Sequence, residues 1–127
     1  MKIEHIAVWA KDIEKLKNFY VSYFGMTSNE MYHNKNTGFR SYFLSFQGES
    51  ARIEIMNRDD VNESVLKEML GLAHFAISVG SKEKVDELAL TMEKDGFIIA
   101  SKPRTTGDGY YECAVLDPEG NKVEITI

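Results

Sequence analysis

The feature that most constrains the fold of this chain is an internal repeat. The strings IEHIAV and LAHFAI each place one histidine in the middle of a short apolar run. His5 recurs as His74 after 69 positions, and Glu54 recurs as Glu124 after 70 positions. Self-similarity at a fixed spacing is the signature of one supersecondary unit used more than once. The sequence therefore predicts two similar modules.

Each half is predicted to contain the same order of elements, βαβββ. In the first half, a strand over residues 2–10 is followed by a helix that Asp12 caps and Gly25 ends. Three further strands are predicted in TSNEMYH, FRSYFLSF and ARIEIM. The apolar stripe of the helix consists of Ile13, Leu16, Tyr20, Tyr23 and Phe24.

The second half repeats this order. GLAHFAISV is predicted to be a strand, Ser81 is the expected N-cap of a helix, and Gly96 is expected to end that helix. FIIAS, YYECAVL and KVEITI follow as strands, separated by the turn signals TTGDG and DPEGN. The apolar stripe of the second helix consists of Val85, Leu88, Ala89 and Met92.

These patterns predict one α+β domain over residues 1–127, a length that suits a single domain. The domain is expected to consist of a module over 1–57 and a module over 71–127. Residues 58–70 are expected to link the modules, and NESVLKEML within this linker is able to form a short helix.

Four polar side chains are predicted to lie on equivalent strand faces. Successive residues of a strand point to opposite faces, so each strand has one apolar face and one face with a His or Glu at its centre. Those residues are His5, Glu54, His74 and Glu124. Two imidazoles and two carboxylates suit a divalent cation such as Ni²⁺, Co²⁺, Zn²⁺ or Fe²⁺.

A plainer interpretation exists for each of these residues alone. A single His on a strand is more often a hydrogen-bonded core residue than a ligand, and a single Glu is usually solvated. The recurrence of the same His and Glu in both halves favours the metal site over that interpretation.

The whole chain also resembles the vicinal oxygen chelate superfamily, and within it glyoxalase I (lactoylglutathione lyase). The resemblance is carried by IEHIAV with FYVSYFGM, by ARIEIM, by LAHFAISV and by LDPEGNKVEI. It implies paired βαβββ modules that form a cup-shaped mixed sheet around one divalent metal. It places the metal ligands of glyoxalase I on His5, Glu54, His74 and Glu124.

The second ligand distinguishes members of this superfamily. Methylmalonyl-CoA epimerases resemble the pattern but usually have Gln where Glu54 stands. Extradiol dioxygenases and fosfomycin-modifying enzymes generally use His, His and Glu, and bleomycin-binding members lack the metal set. The two-His, two-Glu set is most similar to the bacterial glyoxalase I type.

The resemblance implies a reaction and two candidate bases. A metal-bound hemithioacetal of methylglyoxal and a thiol would be isomerised to a 2-hydroxyacyl thioester through an enediolate. Glu124 is the expected base, and Glu54 is the second candidate. Two alternatives stay open: a related metal-dependent epimerase, and a metal-free protein that binds a drug or metabolite.

Candidate substrate contacts are Trp9, Met56, Arg58 and Arg104. Glyoxalase I often has Arg where Trp9 stands and commonly has Asn where Arg58 stands, so these departures concern the thiol rather than the metal chemistry. Arg104 is a candidate for holding a substrate carboxylate, and the alternative for its segment is a plain hairpin connection around Asp108 and Gly109.

Composition excludes several other classes. A net charge of −5 without a basic patch argues against a nucleic-acid partner. The single cysteine, Cys113, excludes an intramolecular disulfide and a cysteine zinc cluster. No signal peptide or membrane span is recognisable, so a cytoplasmic location and a small-molecule substrate are expected. The resemblance adds the expectation of a homodimer.

Overall fold

A computed structural model describes residues 2–64, 70–107 and 109–127 of the chain. The chain divides into two units, Met1–Glu63 and Ser64–Ile127. Each unit contains one long helix and one mixed sheet, so the predicted α+β class and the repeated module are confirmed. The predicted linker helix falls largely on residues 65–69, which lie outside the described residues. Within the described ranges, no helix is long and apolar enough to cross a membrane.

The first unit contains a five-stranded sheet in the order β1-β5-β4-β2, with β3 also paired to β4. β1 and β5 are parallel, and the other pairs are antiparallel. The elements are β1 (His5–Trp9), α1 (Ile13–Phe24), β2 (Thr27–Ser28), β3 (Tyr32–His33), β4 (Arg40–Ser45) and β5 (Arg52–Asn57).

The predicted second strand of this unit is divided into β2 and β3. Asn29 lies between the two, and its side-chain oxygen accepts a hydrogen bond from the Phe43 backbone N–H at 2.7 Å. The Asn29 backbone N–H donates to the Phe43 carbonyl at 3.2 Å. An asparagine side chain that takes a backbone partner interrupts the regular ladder, so two short strands replace one.

The second unit contains a four-stranded sheet in the order β6-β9-β8-β7, with β6 parallel to β9. Its first strand is shorter than predicted, and β7 continues further along the chain than FIIAS. Pro103 lies in β7, which is an edge strand where a missing N–H is tolerated. The elements are β6 (Phe75–Ser78), α2 (Lys82–Lys94), β7 (Ile99–Thr105), β8 (Tyr111–Leu116) and β9 (Lys122–Thr126).

Both helices begin at the predicted caps. The Asp12 side chain accepts from the Lys15 backbone N–H at 2.9 Å, and the Ser81 hydroxyl accepts from the Lys84 N–H at 3.2 Å. Gly25 caps α1 in the left-handed conformation with φ 67°, which a residue without Cβ adopts at no steric cost.

Each helix packs on one face of its own sheet. The four residues predicted for the stripe of α2 are all buried, and the buried residues of α1 are Ile13, Leu16, Phe19 and Tyr20. Beneath them lie strand residues such as Ile55 and Ile125, both with 0% exposure. Burying one such side chain stabilises the fold by about 2 kcal/mol. Burial therefore fixes which face of each strand is turned away from the helix.

Candidate metal centre

In the first unit, His5 and Glu54 lie together on the face of the sheet opposite α1. β1 and β5 are neighbours, and the register places Ala7 beside Glu54. The His5 Nε2 atom is 3.9 Å from the Glu54 Oε2 atom. The side chain of Glu54 is 16% exposed and that of His5 is 39% exposed. The imidazole is accessible and the carboxylate is half-buried beside it.

The second unit repeats this pair. His74 lies one residue before β6, and the register places Ala76 beside Glu124 on β9. The His74 Nε2 atom is 3.2 Å from the Glu124 Oε2 atom, and the two side chains are 41% and 22% exposed. Each module thus brings one His and one Glu side chain close together.

Local sequence explains why both carboxylates lie on this face. Glu54 stands between Ile53 and Ile55, which are buried, and Glu124 stands between Val123 and Ile125, which are also buried. Because strand residues alternate, burying the aliphatic neighbours turns each glutamate to the opposite face.

The spacing within each pair can be compared with that of two ligands of one metal ion. Two ligands bound at about 2.1 Å and at right angles stand about 3 Å apart. His74 and Glu124 are already near that spacing, whereas His5 and Glu54 would have to approach each other by rotamer adjustments. Within either unit, the described residues contain no group of three or more His, Cys, Asp or Glu side chains placed to hold a metal. One His–Glu pair alone does not complete the coordination shell of a metal ion.

His5 has a further carboxylate neighbour that the sequence pattern did not indicate. The His5 Nδ1 atom hydrogen-bonds the Glu4 carboxylate, which also accepts from the Arg52 guanidinium. The hydrogen bond with His5, assisted by Arg52, lowers the pKa of Glu4 below its usual value. Alternation along the predicted strand over residues 2–10 turns Glu4 and His5 to opposite faces, so it does not indicate this contact between neighbouring side chains.

An aromatic ring completes the surroundings of His5. Phe43 on β4 contacts the imidazole edge-to-face, with ring centroids 5.5 Å apart. The Arg52 guanidinium lies over the same Phe43 ring at 4.0 Å. Tyr42 and Leu44, on either side of Phe43, are buried. Alternation along the run FRSYFLSF is therefore the sequence signal that turns Phe43 to this face.

Three of the four candidate substrate contacts lie near each other in the first unit. Trp9 and Met56 are register partners on the same face as His5, and Trp9 is 40% exposed. Arg58 lies over the Trp9 ring at 5.5 Å and forms an ion pair with Asp60 at 2.5 Å. Phe39 also meets Trp9 edge-to-face at 6.2 Å.

Arg104 lies in the other unit, within β7 rather than in the turn that follows it. It is the register partner of Glu112, and Glu112 is the register partner of Thr126. This places Arg104 on the same sheet face as Glu124 but two strands away. Asp108 of the alternative hairpin interpretation lies outside the described residues. The Thr106 backbone N–H donates to the Tyr110 carbonyl at 2.8 Å.

The fold and the paired donors define a class of protein: a repeated βαβββ chain with one His–Glu pair on the helix-free face of each sheet. A family model confirms the broad assignment. The chain belongs to the Glyoxalase/Bleomycin resistance protein/Dioxygenase superfamily, whose model matches residues 2–125.

Known proteins agree with this assignment. Over 88 residues the chain is 38% identical to the Bacillus subtilis (strain 168) protein named "Uncharacterized protein YwkD", covering 68% of each chain. The crystal structure of a glyoxalase family protein from Enterococcus faecalis is similar with a TM-score of 0.79 and 25% identity, covering 99% of this chain and 97% of that one. Glyoxalase I from Zea mays is similar in fold with a TM-score of 0.81 and 22% identity, covering 98% of this chain and 44% of that longer chain.

Proposed function

We propose that this protein is a divalent-metal-dependent lyase of the glyoxalase I type. Its substrate would be the hemithioacetal of methylglyoxal and a thiol, and its product a 2-hydroxyacyl thioester. The observation that carries the proposal is the recurrence of one His–Glu pair at the same place in both modules, at 3.9 Å and 3.2 Å.

We assign the ligands of one metal ion to His5, Glu54, His74 and Glu124. Each module supplies one nitrogen and one oxygen donor, and a first-row divalent cation needs four or more donors. Ni²⁺, Co²⁺ and Zn²⁺ all suit this set. The two pairs that share an ion belong either to one chain or to two copies, and the expected homodimer remains a prediction.

The bound metal would supply Lewis-acid chemistry, stabilising the negative charge that develops on the substrate oxygens as a C–H proton leaves. The chain itself must move that proton between adjacent carbons, which a carboxylate does by acting first as base and then as acid. We assign this role to Glu124, with Glu54 as the second candidate.

The neighbours of the two glutamates favour Glu124. Its register partners on both sides are alanines, Ala76 and Ala114. The register partners of Glu54 are Ala7 and the much larger Phe43. The slightly greater exposure of Glu124 is in line with this difference. The smaller side chains beside Glu124 leave a substrate carbon an easier approach to Glu124 than to Glu54.

The test is turnover by metal-stripped protein reloaded separately with Ni²⁺, Co²⁺ and Zn²⁺. Methylglyoxal is offered with glutathione and with other small thiols, because Trp9 and Arg58 depart from the usual thiol contacts. We expect turnover to need metal and to fall by orders of magnitude in Glu124→Gln. Glu87→Gln, which changes an exposed carboxylate on α2 that pairs with Lys84, is the matched control and is expected to be fully active.

Other outcomes distinguish the alternatives. If the protein binds metal but turns over no hemithioacetal, the epimerase alternative, with its similar proton transfer, is favoured. A protein that binds no metal at all would contradict the proposal and favour a drug- or metabolite-binding role.

A further inference from the structure

Each ring nitrogen of His5 has one carboxylate near it. Nδ1 hydrogen-bonds Glu4, and Nε2 faces Glu54 at 3.9 Å. Of these two carboxylates, only Glu54 belongs to the proposed metal shell. Glu4 therefore occupies the place of an outer partner that contacts the ligand and not the ion.

Glu4 is itself fixed from the neighbouring strand. The Arg52 guanidinium donates to the Glu4 carboxylate, and the Arg52 backbone N–H donates to the Glu4 carbonyl at 3.0 Å. Arg52 in turn lies over Phe43, whose ring contacts the edge of His5. These contacts form a closed ring of four side chains, of which the imidazole is one: His5, Glu4, Arg52 and Phe43.

We propose that Glu4 is a positioning residue that sets the tautomer and orientation of His5. A carboxylate accepts hydrogen bonds and, when ionised, donates none, so a neutral His5 must carry its proton on Nδ1. That leaves the lone pair of Nε2 free to bind a metal. This inference rests on the proposed function, since it presumes that His5 is a metal ligand.

A purely structural role for Glu4 makes a different prediction. Glu4 and Arg52 are half-exposed, and ion pairs at the surface contribute little to stability. Removing Glu4 would then leave both the His5 tautomer and the metal affinity unchanged. The second module offers an internal comparison, because Ala73 precedes His74 and cannot accept a hydrogen bond through its side chain.

The first measurement reads the tautomer directly, without metal. Two-bond proton–nitrogen NMR correlations are recorded well above the ordinary imidazole pKa, and the chain's three histidines are assigned by single substitution. We expect His5 to carry its proton on Nδ1 in the wild type. In Glu4→Ala we expect a shift towards the Nε2-protonated form, with His33 and His74 unchanged.

The second measurement is Co²⁺ affinity by titration. Loss of an outer-shell partner typically weakens metal binding by about 10- to 100-fold, and we expect that range for Glu4→Ala. Glu4→Gln keeps an amide oxygen that can accept from Nδ1 and should retain part of the affinity. Glu30→Gln, which changes an exposed carboxylate between β2 and β3, is the matched control and should bind as the wild type does.

The outcomes separate this inference from the proposed function. If His5→Ala abolishes Co²⁺ binding while Glu4→Ala changes neither tautomer nor affinity, the role of Glu4 is overturned and the metal site stands. If the wild type binds no Co²⁺, the proposed function fails. The NMR experiment then still decides whether Glu4 holds His5, since an unshifted tautomer in Glu4→Ala would overturn it.

Discussion

The two modules contain the same His–Glu pair in different surroundings. Around His5, a carboxylate and an aromatic ring contact the imidazole, and a guanidinium contacts both of them. The residues at the corresponding places in the second module are Ala73, Lys122 and Ala114. The first module therefore surrounds its histidine with a carboxylate and an aromatic ring, while two alanines are the register partners of the glutamate in the second.

This difference suggests a division of labour within the proposed site. The restricted His5 suits a fixed ligand, because an oriented imidazole loses less freedom when it binds a metal. Glu124, between two alanines, suits the group that must approach the substrate carbon. The repeat supplies the donors in duplicate, and the departures from the repeat give each donor its own role.

The largest expected effect tests this division with two matched substitutions. Glu124→Gln should lower kcat by about 10²- to 10⁴-fold, the range lost with a general base, while the amide oxygen keeps part of the metal affinity. Glu54→Gln should lower kcat far less, because it changes only a ligand. Both are checked by turnover and metal content of reloaded protein. Equal losses of kcat in the two variants would contradict the division.

How far the sequence predicted this site depends on whether alternation applied. The alternation of buried aliphatic and polar residues predicted the strand faces of His5, Glu54, His74 and Glu124. Within each module the His and Glu lie 3.9 Å and 3.2 Å apart, and joining all four in one site remains a prediction. Alternation did not predict that the carboxylate of Glu4 reaches His5, because it assigns neighbouring residues of a strand to opposite faces. The role of Arg52 depends on a contact between strands 48 positions apart, which no local pattern encodes.

The helices of the fold were predicted from the sequence, whereas one strand boundary was not. Capping residues and apolar stripes predicted both helices, because these signals are local and each has a steric or hydrogen-bonding cause. The division into β2 and β3 depends on a side-chain contact from Asn29 to Phe43, which is long-range. The sharing of one ion by four ligands remains a prediction.

The second prediction concerns the helix-facing side of the two sheets, where Tyr42 and Cys113 occupy equivalent places beside Ile55 and Ile125. Burial raises the pKa of the Cys113 thiol to about 11. Since the thiolate is the reactive form, native protein should be alkylated by iodoacetamide at least about 100-fold more slowly than protein unfolded in urea. Mass spectrometry of timed samples measures the two rates. Similar rates would mean that the second module opens locally.

The third prediction compares two tyrosine–acid links between helix and sheet. The hydroxyl of Tyr42, whose ring is mostly buried, donates to Glu14 at 2.5 Å, and Tyr111 donates to Asp86 at 2.7 Å. Tyr42→Phe should lower the free energy of unfolding by about 1 kcal/mol, because a partly buried hydrogen bond to a charged group is lost. Tyr111→Phe should have a clearly smaller effect, because Tyr111 lies nearer to water. Urea denaturation of both variants measures the two losses of unfolding free energy. A larger loss in Tyr111→Phe than in Tyr42→Phe would contradict this prediction.

The smallest expected effect is the pH dependence of the first of these links. Hydrogen bonds from Lys17 and Tyr42 lower the pKa of Glu14 below its usual value. A carboxyl with a lower pKa in the folded state stabilises the fold above its unfolded pKa. That stabilisation is lost as the pH falls through the lowered folded value. Unfolding free energies of wild type and Glu14→Gln should therefore differ near neutral pH and converge in acid.

Asp60→Asn is the control for this prediction. The Asp60 carboxyl also has a lowered pKa, but it pairs with Arg58 at the surface. The same urea series should show a weaker convergence for this variant, because solvent screens the pair. A gap for Glu14→Gln that stays constant from neutral to acidic pH would mean that its charge does not stabilise the helix–sheet link.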